Sequence, residues 1–153
     1  MCASTYAIRV FISSAMDDFL GKKYVLYDSE NFEDYLVYLG LSYIARKVAI
    51  RLNQSHILTK NEDGTYTFQF LSTMANSSIT FNPGEEFEEV KADGVKVKAL
   101  IVFEGNKMIH TQTAEDGKVS RHEREFFEDK MIVITTADGL DKTVKRYYKV
   151  EQQ

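Results

Sequence analysis

Near the C-terminus the chain reads TVKRYYKV over residues 143–150. If this stretch is a strand, side chains alternate between its two faces. Val144, Arg146, Tyr148 and Val150 then share one face, and Thr143, Lys145, Tyr147 and Lys149 share the other. The second face suits water. The first is apolar apart from one guanidinium and one phenol. A buried guanidinium is unfavourable unless an anion compensates it, and arginine does not shed its proton at ordinary pH. Arg146 with Tyr148 offers a planar fork of donors and a hydroxyl, a combination that suits a carboxylate. The competing reading turns Arg146 outward, or pairs it with an internal acid such as Glu125 as plain structure.

A second arginine poses the same question. In VSRHEREFF (119–127), Ser120, His122, Arg124 and Phe126 share one face, and Arg121, Glu123 and Glu125 share the other. Pattern alone leaves either face as the inner one. If the first is inner, Arg124 and Arg146 lie two strands apart, within reach of one ligand headgroup. The rest of that surface is largely apolar, so a carboxylate with a long apolar tail meets both demands.

These residues must be positioned by strands. From residue 56 onward, turn signals recur at short intervals: Asp63-Gly64, Pro83-Gly84, Asp93-Gly94, Gly105-Asn106, Asp116-Gly117 and Asp138-Gly139. Strand-like runs lie between them at 65–71, 77–81, 96–103, 107–113, 119–127 and 130–136, with Glu128-Asp129 as the tight turn between the last two. Short strands joined by tight turns predict an antiparallel meander without room for crossover helices. A further strand is expected at about 22–30. Residues 31–52 have helical spacing instead. Asn31 is placed to cap a first helix carrying Phe32, Tyr35, Leu36 and Leu39, and Gly40 to end it. A second helix aligns Leu41, Ile44, Val48 and Leu52 on one side. A meander this long is expected to solve its edge problem by closing into a barrel, and a barrel of this size holds side chains or one small ligand.

Composition narrows the function classes. The chain has 153 residues, 44% hydrophobic and 27% charged, with ten phenylalanines, nine tyrosines, one proline and no tryptophan. That suits one globular domain. A net charge of −4 argues against general nucleic-acid binding. Cys2 is the lone cysteine, so no internal disulfide forms. His56, His110 and His122 are far apart in sequence and show no metal-ligand spacing; His122 with Thr111 or Gln112 is expected to be polar lining. No nucleophile elbow or phosphate loop is visible, so neither a catalytic residue, a metal nor a cofactor is expected. Residues 1–15 are read as an N-terminal extension ahead of a domain at 16–153. Arg9 interrupts its apolar stretch, which makes a poor signal peptide, and secretion is expected only if that segment acts as one.

Several stretches resemble the intracellular lipid-binding proteins, the fatty-acid-binding protein family. They are FLGKKYVLYDSENFEDYLVYLGLSYIARKVA (19–49), STMANSSITFNPGEEFEE (72–89), ADGVKVKALIVFEGNKMIHTQ (92–112), REFFEDKM (124–131) and the closing RYYK. The resemblance spans roughly residues 17–150, in order and nearly without gaps. It implies a mostly β fold: a ten-stranded antiparallel up-and-down barrel capped by a two-helix lid, with the ligand inside. It also implies a monomeric, cytoplasmic carrier of long-chain fatty acids that touches membranes transiently through the lid. The family's carboxylate site maps onto Arg146 and Tyr148, with Arg124 two strands earlier. Retinol-binding members place glutamine at such positions, so two arginines favour a carboxylate ligand. Phe32 and Tyr35 would help line the cavity or portal, Met74 falls where many members have a portal phenylalanine, and Asp93 matches an acidic position near the cavity, whereas Val95 stands where some members have arginine. Arg46 and Lys47 match two of three basic positions of a nuclear-import patch; Val37 occupies the third. Tyr24 replaces the usual tryptophan, and the hairpin at 135–144 is longer than in common vertebrate members. The alternatives are a carrier of retinoids or other isoprenoid carboxylates, a small lipid-converting enzyme, and a partner that hands ligand to a nuclear receptor.

Overall fold

The computed structural model describes residues 14–91 and 93–152. A short 3₁₀ helix (Ala15–Phe19) precedes β1 (Lys23–Glu30), α1 (Phe32–Tyr38) and α2 (Tyr43–Ile50). Nine strands follow: β2 (Gln54–Lys60), β3 (Tyr66–Ser72), β4 (Asn76–Phe81), β5 (Phe87–Val90), β6 (Lys96–Glu104), β7 (Lys107–Thr113), β8 (Val119–Phe126), β9 (Lys130–Ala137) and β10 (Val144–Val150). The fold is the ten-stranded, mostly β barrel with two helices that the sequence leads one to expect. Strands β2 and β5 were not among the strand-like runs. EEFEEV carries four glutamates in six residues, which hides a short strand from any pattern of apolar alternation. Of the N-terminal extension read at 1–15, residues 1–13 lie outside the described residues.

All pairings are antiparallel, in the order β4-β3-β2-β1-β10-β9-β8-β7-β6-β5. The first and last strands pair along their length, Tyr24 opposite Val150 and Glu30 opposite Lys145. Full closure does not occur, because β4 and β5 share no ladder and form a seam. A register shift in β1 between Leu26 and Asp28 bends that strand, so that it pairs with β2 at its start and with β10 throughout.

Alternation places three successive rows on the inner face. Nearest the closed end are Phe126, Met131, Tyr148 and Leu26. Next come Met108, Arg124, Val133, Arg146 and Ser29. Nearest the helices are Ile101, His110, His122, Thr135 and Val144. The closed end is filled by large side chains: Met16 of the 3₁₀ helix, Tyr24, Leu58, Tyr66, Phe68 and Phe126 belong to one buried cluster. Tyr24, which the resemblance sets where that family has tryptophan, is part of this plug. It is fully buried, meets Phe126 edge-on and donates its hydroxyl to the Phe127 carbonyl at 3.1 Å. The polar rows therefore lie between an aromatic plug and the lid.

The helices depart from expectation in two ways. Asn31 precedes α1 but makes no side-chain cap. An N-cap residue needs extended backbone, and Asn31 is left-handed at φ 60°. Its amide reaches across to donate to the Thr143 carbonyl at 2.9 Å, tying the β1–α1 corner to the β9–β10 loop. Ser42 does cap α2, accepting from the Ala45 N–H. The apolar side expected of α2 is not buried: Ile44 is 76% and Val48 43% exposed, and α2 has no buried residue. The lid is held instead by α1, through buried Leu36, the Tyr38 hydroxyl on the Asp138 carbonyl, and Glu33, which pairs with Lys47 and Arg46. Among the described residues no helix is long and apolar enough to cross a membrane.

Candidate functional site

Val133 of β9 stands directly between Arg124 and Arg146, opposite both. The two arginines thus flank one strand on the same inner row, and Tyr148 lies two residues along β10 from Arg146. This settles the face of β8: the inner one carries His122, Arg124 and Phe126, with Arg124 only 5% exposed. Glu125 lies on the other face and pairs with Lys107, so it does not compensate Arg146.

The two guanidiniums have different surroundings. Arg146 is held by neutral groups: Nε–H donates to Ser29 Oγ at 3.2 Å and Nη1 to Gln54 Oε1 at 2.8 Å. Its guanidinium carbon lies 3.7 Å from the centre of the Phe32 ring, a cation–π contact that links the anchor to the lid. Arg124 crosses the barrel towards β3, with its guanidinium 4.8 Å from the Phe68 ring and 5.7 Å from Phe70. Its Nε and Nη1 are buried and have no hydrogen-bond partner among the described residues. Burial pushes the Arg124 pKa down to about 10, against the opposing influence of Tyr148, Glu89 and Tyr35. Burial also lowers Arg146. It raises Tyr148, while both arginines pull that phenol the other way. An anion placed among the three would reverse the strain on the guanidiniums.

A polar chain occupies the next row. Glu89 of β5 accepts from Gln112 Nε2 at 2.6 Å and lies 3.2 Å from His110 Nε2. Gln112 Oε1 is 3.0 Å from His122 Nε2, and His122 Nδ1 is 2.8 Å from Thr135 Oγ1. Burial raises the Glu89 carboxyl, but His110, the bond from Gln112 and the nearby Arg124 charge together hold the group below its ordinary value. Burial, with Arg124 nearby, pushes His122 and His56 well below the ordinary imidazole value and lowers His110. His56 packs against Tyr148, Phe68 and Phe70.

Of the residues singled out in the sequence, Arg124, Arg146 and Tyr148 converge, Phe32 touches Arg146, and Tyr35 sits above His122 at 6.3 Å between ring centres. Burial raises the Tyr35 hydroxyl to about 12. Met74 and Asp93 do not join them. Met74 is 70% exposed in the β3–β4 turn. Asp93 sits in the β5–β6 turn, where it accepts from the Val95 N–H at 3.0 Å and faces Lys91 at 3.8 Å. It does line a pocket of about 230 Å³ whose wall includes Tyr38, Lys91 and Gln112. Sequence reasoning missed Ser29, Gln54, His56, Glu89 and His110. The alternation of KMIHTQT puts Met108, His110 and Gln112 on one face and was the available signal for His110. Nothing in EEFEEV distinguishes Glu89 from its neighbours.

A nearly closed antiparallel barrel, lidded by two helices and carrying two inward arginines, Arg124 buried and Arg146 part-buried, defines an internal-ligand β-barrel. The sequence matches the model of the "Lipocalin / cytosolic fatty-acid binding protein family" over residues 20–152, and the chain belongs to that family. It is 39% identical over 128 residues to a fatty acid-binding protein of Lepidoglyphus destructor, covering 83% of this chain and 94% of that one. It is also 39% identical over 128 residues to fatty acid-binding protein 9 of Mus musculus, covering 84% and 95%. Among solved structures it resembles the brain fatty acid-binding protein of Drosophila melanogaster, with TM-score 0.78, 37% identity and coverage of 86% and 98%. It also resembles a Schistosoma mansoni fatty acid-binding protein in complex with arachidonic acid, with TM-score 0.80, 32% identity and coverage of 91% and 100%.

Proposed function

We propose that this protein is a non-enzymatic, monomeric, cytosolic carrier that binds long-chain fatty acids reversibly inside the barrel and delivers them to membranes, enzymes or nuclear receptors. The observation that carries the reading is Arg124: a buried guanidinium with two nitrogens that have no partner among the described residues calls for an anion. Arg124 is the primary receptor for the carboxylate. Tyr148 and Arg146 complete the site, Arg146 already being oriented by Gln54 and Ser29. Buried Arg124 and part-buried Arg146 against Glu89, the one buried carboxylate among the described residues, leave one positive charge, which a monoanionic headgroup neutralises. Burial of the tail drives binding at roughly 0.8 kcal/mol per methylene before opposing terms. The names of the relatives and the arachidonic acid in the Schistosoma mansoni structure point the same way.

In this reading the exposed apolar residues of the lid, Val37, Tyr43, Ile44 and Val48, face the membrane during transfer. Met74 and Asp93 belong to the rim and not to the headgroup site. The anchor is tested by titrating Arg124→Gln/Arg146→Gln with a fatty acid and with its methyl ester. The acid is expected to lose affinity far more than the ester. Equal losses would refute the arginine anchor. Mass spectrometry of lipids released from the purified protein would identify the tails.

A further inference from the structure

The hydrogen-bond directions along the polar chain follow from its anionic end. A carboxylate only accepts, so Gln112 Nε2 donates to Glu89 Oε2 and the Gln112 oxygen is left as an acceptor. His122 Nε2 therefore carries the proton given to Gln112 Oε1. A neutral His122 then has a lone pair at Nδ1, which accepts from the Thr135 hydroxyl. His110 Nε2 likewise donates to Glu89. Neutral His110, its pKa lowered chiefly by burial, is left with a lone pair at Nδ1. That atom is buried and has no partner among the described residues. Among the fully buried side-chain polar atoms of Glu89, His110, Gln112, His122 and Thr135, only this acceptor has no partner among the described residues.

His110 stands opposite His122, and Arg124 stands opposite Met108, two residues along the same ladder. The acceptor's row is thus about 7 Å from the arginine row, on the lid side. We infer that the barrel has a second polar subsite at His110, backed by Glu89, Gln112 and His122, that takes a hydroxyl on the chain of a fatty acid whose carboxylate sits at Arg124. The favoured cargo is a hydroxylated fatty acid with its hydroxyl several carbons from the carboxylate. A hydroxyl fits because it donates to the lone pair, whereas a ketone or ether oxygen offers only another acceptor. The inference rests on the carrier reading above.

The probes are stearic acid and a series of hydroxystearic acids differing in hydroxyl position, each displacing a fluorescent fatty acid from delipidated full-length protein. One narrow range of positions is expected to bind about fivefold to tenfold tighter than the other isomers, the scale of one added hydrogen bond at a buried acceptor. His110→Phe is expected to abolish that preference, so that within the variant every isomer binds no tighter than stearate. Independently of any variant, the ¹⁵N resonance of His110 Nδ1 should move towards the hydrogen-bonded value with the preferred isomer and stay put with stearate. Stearate binding as tightly as every isomer, a preference that survives in folded His110→Phe, or identical Nδ1 shifts for both ligands would each overturn the subsite. If stearate is held and the hydroxyl adds nothing, the subsite alone fails. If neither stearate nor any isomer is held, the carboxylate anchor fails with it.

Discussion

Replacing Arg124 by methionine should stabilise the empty protein and weaken its ligand binding. Burial lowers the Arg124 pKa from 12.5 to about 10. At about 1.4 kcal/mol per pKa unit, the charged side chain is disfavoured in the fold by ~3 kcal/mol at neutral pH. The sign follows from the direction: a base whose pKa falls on folding opposes folding wherever it is charged in both states. Methionine fills similar space without the charge. It forfeits the stacking on Phe68 and Phe70, about 1–2 kcal/mol. A net gain of about 1–2 kcal/mol remains, or roughly 2–8 °C in Tm for a chain of this size. The same change removes the charge-assisted hydrogen bonds to a carboxylate, about 1.5–3 kcal/mol, and so raises Kd by roughly 10–150-fold. The assay is calorimetric unfolding of delipidated wild type and Arg124→Met, with and without a saturating fatty acid. The variant should unfold higher when empty and gain less from ligand. A variant that unfolds lower when empty and keeps wild-type affinity would refute the argument that Arg124 is an uncompensated charge awaiting an anion.

Two further outcomes follow from the geometry. His56, His110 and His122 all have folded pKa values below the ordinary imidazole value, so their contribution to stability is present above about pH 6.5 and lost as pH falls below it, at up to ~1.4 kcal/mol per pH unit each; Tm of the empty protein should be level from pH 8 to 7, decline steadily towards pH 5, and decline less in His56→Phe, whereas a level profile down to pH 5 would mean that the interior tolerates imidazolium. On the lid, Ile44→Glu changes a side chain that is 76% exposed, so stability should move by no more than about 0.5 kcal/mol, while the rate of fatty-acid transfer to phospholipid vesicles drops several-fold; an unchanged rate would show that α2 does not meet the membrane.

The legible parts of this protein were those governed by local rules. Turn dipeptides and short alternating runs are read from neighbouring residues, and they located most strands to within a residue or two. Where local signals conflict, reading failed. Asn31 has the composition of an N-cap, but the corner after β1 demands a left-handed residue, and an amide in that conformation finds the Thr143 carbonyl instead of its own helix. Ile44 and Val48 have the spacing of a buried stripe, but a lid two short helices thick is held by α1 and leaves α2 uncovered.

The site divides along the same line. Period-two alternation alone required Arg146 and Tyr148 to share a face, and the apolar character of that face pointed inward. It left open which face of β8 was internal, because HERE alternates charge with charge. Only the ladder decided that, by setting Arg124 and Arg146 on either side of Val133. The partners of Arg146, on β1 and β2, are separated from it by 117 and 92 residues. The link between Glu89 and His110 likewise crosses from β5 to β7. Such contacts are set by strand order and register, which sum over the whole barrel, and no local window of sequence carries them. The sequence determined which residues are paired by alternation within each strand; the closing of β1 onto β10 decided which charges meet.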